Sequence, residues 1–274
     1  MALRIATLGD NCIDRYLPPV NRLLAGGNAV NVAVQLARLG QDVAYFGAVG
    51  ADREGLFLRA ALAQNGVALA GLLTDAERRT AYTDIETLPG GERRIGTEDF
   101  GACAAYRLPA AHVERLRGFD HVHIGWLNDG GTAKQALRSR GLSVSQDLSV
   151  NNRPENLQPE GLSIAFLSAD PEEAEARANA LLAAGAGLAV VTMGAAGSLA
   201  DDGRNRARID ALPIVPVDTT GAGDSFIAGF LAAKLDGAHL TAALQAGAAA
   251  ARATCLHPGG FPQPDIGLDG NTIL

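Results

Sequence analysis

Lysine is almost missing from this sequence: Lys134 and Lys234 are the only two in 274 residues. Neither follows a glycine loop, and no Gly-x4-Gly-Lys-Ser/Thr string exists, which excludes a P-loop kinase. Cysteine is scarce as well. Cys12, Cys103 and Cys255 lie far apart with no Cys-x-x-Cys pair, so neither a disulfide framework nor a zinc site is expected, and a reduced, cytoplasmic setting is. No excess of basic charge exists: 30 acidic residues against 23 basic ones give a formal charge of −7. A basic stripe able to neutralise a nucleic-acid backbone is therefore missing, and DNA and RNA are not expected as partners. Long apolar runs are absent too. The start, Met1-Ala2-Leu3-Arg4-Ile5, reaches Gly9-Asp10-Asn11 before a signal-like stretch can form, and no later run attains membrane-spanning length.

What is present is apolar content of 47%, enough for a large core. The length fits one α/β domain, 1–274, with a small accessory element. Leu3 to Leu8 reads as a buried strand feeding a polar loop, and Asn28 to Leu39 carries Val30, Val34, Ala37 and Leu39 at helical spacing before Gly40. Val43 to Gly47 is the next strand and Glu54 to Ala63 the next helix. From His121 onward strands are expected near His121 to Ile124, Ser143 to Asp147, Ser163 to Leu167 and Leu188 to Thr192. Helices fall between most of them, and two alanine-rich helices, Ala222 to Asp236 and Thr241 to Ala253, close the chain. Strands alternating with helices predict a central, mostly parallel sheet covered on both faces, with ligands at the carboxyl ends of its strands. Between Thr80 and Phe100 the period changes to two around Pro89-Gly90-Gly91, which predicts a β-hairpin leaving the main sheet as a lid.

The chemistry-bearing string is Asp218-Thr219-Thr220-Gly221-Ala222-Gly223-Asp224. Ile214 to Val217 is read as a strand before it, and Ser225-Phe226-Ile227-Ala228-Gly229-Phe230 as a helix after it. Strand, glycine turn and helix together present free backbone amides to an anion. Gly221, Ala222 and Gly223 let phosphate oxygens approach closely, and Asp224 stands in the first helical turn, placed to take a proton from an attacking hydroxyl. A plain turn with a dipole-favoured acid is the alternative. Gly47-Ala48-Val49-Gly50 with Gly55 has the wrong spacing for a dinucleotide fingerprint and reads as a turn.

Asp218 to Asp224 resembles the C-terminal motif of the ribokinase/PfkB carbohydrate kinases, and Gly26-Gly27-Asn28-Ala29-Val30-Asn31 resembles their N-terminal glycine motif. Val49-Gly50-Ala51-Asp52-Arg53-Glu54-Gly55, Val191-Thr192-Met193-Gly194-Ala195-Ala196-Gly197 and Gly259-Gly260-Phe261 agree, so the resemblance covers nearly the whole chain. Within the family, Gly9-Asp10-Asn11-Cys12-Ile13-Asp14 followed by Gly26 to Val34 is similar to the fructoselysine 6-kinases.

The resemblance implies a ribokinase-like fold with a small β lid, and transfer of phosphate from ATP, with Mg²⁺, to a sugar hydroxyl. Asp14, Gly27, Asn28 and Asn31, assisted by Asp10, are implied to hold the sugar. Asp224 is implied as base, Gly221 to Gly223 as the anion hole, and Thr192, Gly194 and Gly197 as the ATP side. Asp218 and Thr220 stand where relatives bind a monovalent cation such as K⁺, and a homodimer through the lid is implied. Structural alternatives stay open: Asp14 or Asn28 as caps, Asn31 on a solvated helical face, Thr192 as an ordinary strand residue. Fructokinase, ribokinase and nucleoside kinase remain alternative activities, and a non-catalytic sugar or nucleotide sensor an alternative class.

Two departures from the family pattern stand out. Ser168-Ala169-Asp170-Pro171-Glu172-Glu173 replaces the Asn-x-x-Glu element that organises magnesium, leaving Glu172 or Glu173 to substitute. Gly247 replaces an adenine-side asparagine. In the lid, Arg93 and Arg94 are candidates to meet a substrate carboxylate, against the alternative of a solvated hairpin face.

Overall fold

The structure, a computed structural model, describes residues 2–87, 93–264 and 266–268. In chain order the described strands are β1 Arg4–Leu8, β2 Cys12–Tyr16, β3 Arg22–Gly26, β4 Asp42–Gly50, β5 Ala68–Asp75, β6 Tyr82–Thr87, β7 Arg93–Asp99, β8 His121–Ile124, β9 Val144–Asp147, β10 Ile164–Ser168, β11 Ala189–Thr192, β12 Ser198–Asp201 and β13 Arg206–Ile209. The helices are α1 Asn28–Arg38, α2 Arg53–Gln64, α3 Gly101–Ala105, α4 Ala110–Leu116, α5 Gly130–Arg138, α6 Ala174–Ala183, α7 Ala222–Leu235 and α8 Leu240–Thr254.

Nine strands form the large sheet, in the order β13-β12-β11-β10-β9-β8-β1-β4-β5. From β11 to β5 all neighbours are parallel; only the β11–β12 and β12–β13 pairings, at one edge, are antiparallel. Apolar residues continue along β1, β4 and β11 without alternation, as strands covered on both faces require. Two cores result. One holds α1, α2, α7 and α8 with Phe226 and Phe230, and the other holds α3 to α6 with Phe46, Leu127 and Leu137. Phe230 and Phe166 are almost fully buried and meet edge to face at 5.6 Å, each side chain contributing about 1.5–3 kcal/mol by burial.

The lid is larger than a hairpin. It is a separate four-stranded sheet, β3-β2-β6-β7, in which β2 pairs antiparallel with β3 and parallel with β6. The residues after Gly9 thus form two strands where a polar loop was expected. Their core is small, built on Tyr16, Leu24 and Ile85, too weak a pattern to stand out along the chain. The turn at Pro89-Gly90-Gly91 and the Arg93 side chain lie outside the described residues.

The expected strand Ile214 to Val217 does not form. Pro213 and Pro216 lack the N–H that a ladder needs, and Val215 and Val217 are 89% and 64% exposed. The segment is an irregular crossing whose Val217 N–H donates to the Cys255 carbonyl at 2.8 Å. The sheet instead ends at β13, before this segment. The string Val49 to Gly55 has a local cause: Asp52 caps α2 by accepting from the Gly55 N–H at 2.8 Å. Its carboxylate also takes the Thr80 N–H at 2.7 Å and the Thr80 hydroxyl at 2.6 Å, which anchors the start of the lid to the large sheet.

Candidate active site

Two cavities meet at the N-terminus of α7. The first, about 600 Å³, lies between the lid and the sheet and is lined by Asp10, Cys12, Asp14, Gly27, Asn31, Thr83, Ile85, Ile95, Glu98, Thr219, Thr220, Gly221 and Asp224. The second, about 530 Å³, includes Thr192, Gly194, Gly197, Thr219, Ala222, Gly223, Phe226 and Arg252 in its walls. Thr219 borders both, and the glycine turn is the partition between them. Gly221, in the left-handed region at φ 74, begins α7 without a side-chain cap. A Cβ there would approach Gly260 Cα to 2.5 Å, so only glycine fits. The Ala222 N–H donates to the Thr219 carbonyl at 3.2 Å. Among the described residues the amides of Gly221, Gly223 and Asp224 have no partner, as at a helix start that receives an anion.

Around Asp224 the sequence folds into a tight network of acids and amides. Asn31 Nδ2 donates to Asp224 Oδ2 at 2.7 Å, and Asn28 Nδ2 donates both to Asp224 Oδ1 at 2.6 Å and to Asp147 Oδ2 at 3.0 Å. The Asn28 and Ala29 N–H groups donate to Asp10 at 3.0 and 3.1 Å. Asp10 therefore caps α1 from the end of β1, and still faces the first cavity. Asn28 is not a helix cap but a bridge between carboxylates. Asn31, 4% exposed, is not on a solvated face; its Oδ1 has no partner among the described residues.

Burial pushes the Asp224 carboxyl up to about 8; the Asn31 and Asn28 hydrogen bonds oppose this and the charges of Asp147 and Asp10 reinforce it. Burial also raises Asp10, to about 6, and raises Asp147 above the ordinary range. A carboxyl so raised is matched to proton transfer near neutral pH.

The remaining expected residues divide between the two sides. Asp14, Gly27 and Thr220 line the first cavity; Thr192, Gly194 and Gly197 line the second. Asp218 is buried below the turn, where its carboxylate accepts from the Thr220 N–H at 2.6 Å, the Gly259 N–H at 3.0 Å and the Tyr16 hydroxyl at 3.1 Å. A third cavity, beside Thr192, is lined by Ser168, Asp170, Glu173 and Arg177 but not by Glu172. Glu173 is ion-paired to Arg177 at 2.9 Å. Arg94 pairs with Glu86 on the exposed part of the lid and lines neither of the two main cavities. Gly247 faces inward, where a Cβ would come within 2.9 Å of the Phe226 ring, so it serves the packing of α8 on α7.

Sequence reasoning missed Asp147, Thr83 and Glu98. Asp147 ends β9 as the last residue of a buried strand, and an acid at a strand's carboxyl end is a signal that was available. Thr83 and Glu98 carried no such signal, because the lid's register is invisible without its partner strands.

An acid at a helix start, free amides beside it and two cavities separated by the turn are an arrangement suited to phosphoryl transfer to an alcohol group. The pfkB family carbohydrate kinase profile matches residues 16–140 and 147–265, and the chain belongs to that family. It is 37% identical over 262 residues to the fructoselysine 6-kinase of Escherichia coli (strain K12), covering 94% of this chain and 99% of that protein. It is 30% identical over 262 residues to a fructokinase of Salmonella typhimurium, covering 85% and 84% of the two chains. The structure of Arabidopsis thaliana ribokinase complexed with ribose and ATP superimposes with a TM-score of 0.86 at 23% identity, over 96% of both chains, and shares the fold. The protein is a carbohydrate kinase.

Proposed function

We propose that the protein transfers the γ-phosphate of ATP to the 6-hydroxyl of fructoselysine or a related Amadori compound. The sugar occupies the first cavity, against Asp14, Gly27 and Asn31, and ATP the second, with its terminal phosphate at the α7 N-terminus. The observation that carries this reading is Asp224, which lines the first cavity in the same helical turn whose Gly223 lines the second. Asp224 accepts the hydroxyl proton while the oxygen attacks phosphorus, and the amides of Gly221, Gly223 and Asp224 meet the developing charge. Asn28 and Asn31 hold the carboxylate in place. The 37% identity to a fructoselysine 6-kinase over 94% of the chain favours an Amadori acceptor over fructose, ribose or a nucleoside.

Among the described residues no cluster of three metal-ligating side chains exists, which fits a magnesium ion carried by the phosphates and water more than one caged by protein. When bound with ATP, Mg²⁺ would supply charge neutralisation across the transferred phosphate, and Asp170, which lines the third cavity beside Thr192, would hold its waters. A K⁺ ion near Asp218 and Thr220 would draw chiefly on backbone carbonyls, because the Asp218 carboxylate already accepts from Tyr16, Thr220 and Gly259; replacing K⁺ by choline in the assay tests it. A homodimer through the lid rests on the β7 edge of its sheet and on Ile95, 56% exposed, and sedimentation velocity tests it. Three free cysteines suit a cytoplasmic setting, and no helix among the described residues is long and apolar enough to cross a membrane.

The deciding experiment offers fructoselysine, fructose, ribose and adenosine side by side with MgATP and measures ADP release. Fructoselysine is expected to give the highest kcat/KM. ATP binding without turnover of any acceptor would favour a sensor and end the kinase reading.

A further inference from the structure

Four of the residues that line the first cavity are acids. Asp10, Asp14, Asp224 and Glu98 line it, and no described lining residue is lysine, arginine or histidine. Three of these acids have work already described. Glu98 does not: it is exposed, belongs to the lid, and makes no ion pair among the described residues.

The lid is built to aim this residue inward. Asp14 pairs with Thr83 in register across β2 and β6, and Thr83 pairs with Glu98 across β6 and β7. Residues opposite one another in a sheet share a face, so Asp14, Thr83 and Glu98 form one row toward the sugar, with Glu98 roughly 10 Å from Asp14 between Cα atoms at two strand spacings. On a regular strand Ile95 and Glu98, three residues apart, would face opposite ways. They do not, because the register shifts between the Thr83–Glu98 and Ile85–Ile95 pairs, which inserts one extra residue into β7 around Gly96 and Thr97. A bulge re-aims the side chain beyond it, and both Ile95 and Glu98 line the cavity.

We infer that Glu98 is a specificity-determining residue that selects ketoses carrying an ammonium group beside the sugar over neutral ketoses. This rests on the reading of the first cavity as the sugar site. An Amadori compound has a secondary amine at the carbon next to the keto group, protonated at neutral pH, at the end of the sugar opposite the 6-hydroxyl. With that hydroxyl at Asp224 and the ring on Asp14 and Asn31, the amine reaches toward the lid. A carboxylate there provides a charge-assisted partner that fructose cannot use.

Glu98→Gln and Glu98→Asp test the assignment, with kcat/KM for fructoselysine and fructose and calorimetric binding of both sugars to each protein. Glu98 is exposed and outside both cores, so folding is retained, which circular dichroism verifies. Glu98→Gln is expected to lower the fructoselysine-to-fructose ratio by about 10- to 100-fold, mainly through KM, with added salt narrowing the gap and Glu98→Asp restoring part of it. An unchanged ratio in Glu98→Gln, in a wild-type protein that phosphorylates fructoselysine, overturns the role of Glu98 and leaves the proposed activity intact. A wild-type protein that neither binds nor phosphorylates fructoselysine overturns both.

Discussion

Asn28 Nδ2 donates to Asp224 Oδ1 at 2.6 Å, so the residue that opens α1 holds the acid in the first turn of α7. The same Nδ2 reaches Asp147 at 3.0 Å, and the Asn28 N–H reaches Asp10. Helices from opposite ends of the chain are thereby fixed to one another through the proposed base. Motifs 196 residues apart thus meet at one side-chain contact.

Asn28→Leu keeps the volume and removes both side-chain donors. Each of the two carboxyl groups then loses a hydrogen bond, of about 0.5–1.5 kcal/mol while it is protonated and about 1.5–3 kcal/mol once it is ionised. Chemical denaturation should show a loss of that order, and the pH at which kcat/KM reaches half its maximum should rise, since Asn28 lowers both acids.

Asp224→Asn removes the proposed base while keeping its shape. Turnover should fall by about 10²–10⁴-fold, with sugar and ATP affinities within a few-fold of wild type by calorimetry. The substitution also bears on stability. The folded protein holds the Asp224 proton up to about 8, whereas an unfolded chain releases it near the ordinary value of about 3.9. Between these limits the folded state binds more protons, so stability declines as pH rises. Melting temperatures recorded from pH 5 to 8 should fall less steeply in Asp224→Asn than in wild type.

Asp147→Asn isolates a like-charge effect. Asp147 raises the Asp224 carboxyl through space, so removing its charge lowers it. The rising limb of kcat/KM, expected near pH 8 in the free wild-type enzyme, should move to lower pH. A limb that stays in place would mean that Asp147 is neutral throughout the working range.

Much of the site was legible in the chain because its parts are local. Gly221 to Asp224 and Gly26 to Asn31 are contiguous strings whose spacing reflects a helix start, and the structure brings them to one cavity. The parallel strands were equally readable, since burial on both faces writes a continuous apolar run. The lid was not. Its four strands come from 12–26 and 82–99; only the second stretch shows its alternation, and without β2 and β3 as known partners neither Thr83 nor Glu98 could be aimed at a cavity. Asp218 stands in the same string as Asp224 and is buried beneath the turn, where it accepts from the Tyr16 hydroxyl and the Gly259 N–H, contacts that the string alone does not show.

Gly260 shows how little space the network leaves. A Cβ at this position would lie 2.3 Å from Asn31 Oδ1 and 2.7 Å from Asn31 Nδ2, the atom that donates to Asp224. Gly260 is not in the left-handed region, so its backbone does not exclude alanine, and the three nearest atoms that a Cβ would meet all belong to Asn31. The amide of Asn31 must move, and with it one of the two donors that hold the base. Gly260→Ala should therefore reduce kcat by about 10-fold or more, the loss expected when a reacting group shifts by a fraction of an ångström to 1 Å, while ATP binding is unchanged. Adding Asn31→Ala to Gly260→Ala removes the clash but also the donor. If the conflict lies where the geometry places it, the double variant is no slower than Asn31→Ala alone, and a double-mutant cycle on kcat gives a coupling close to the whole effect of Gly260→Ala.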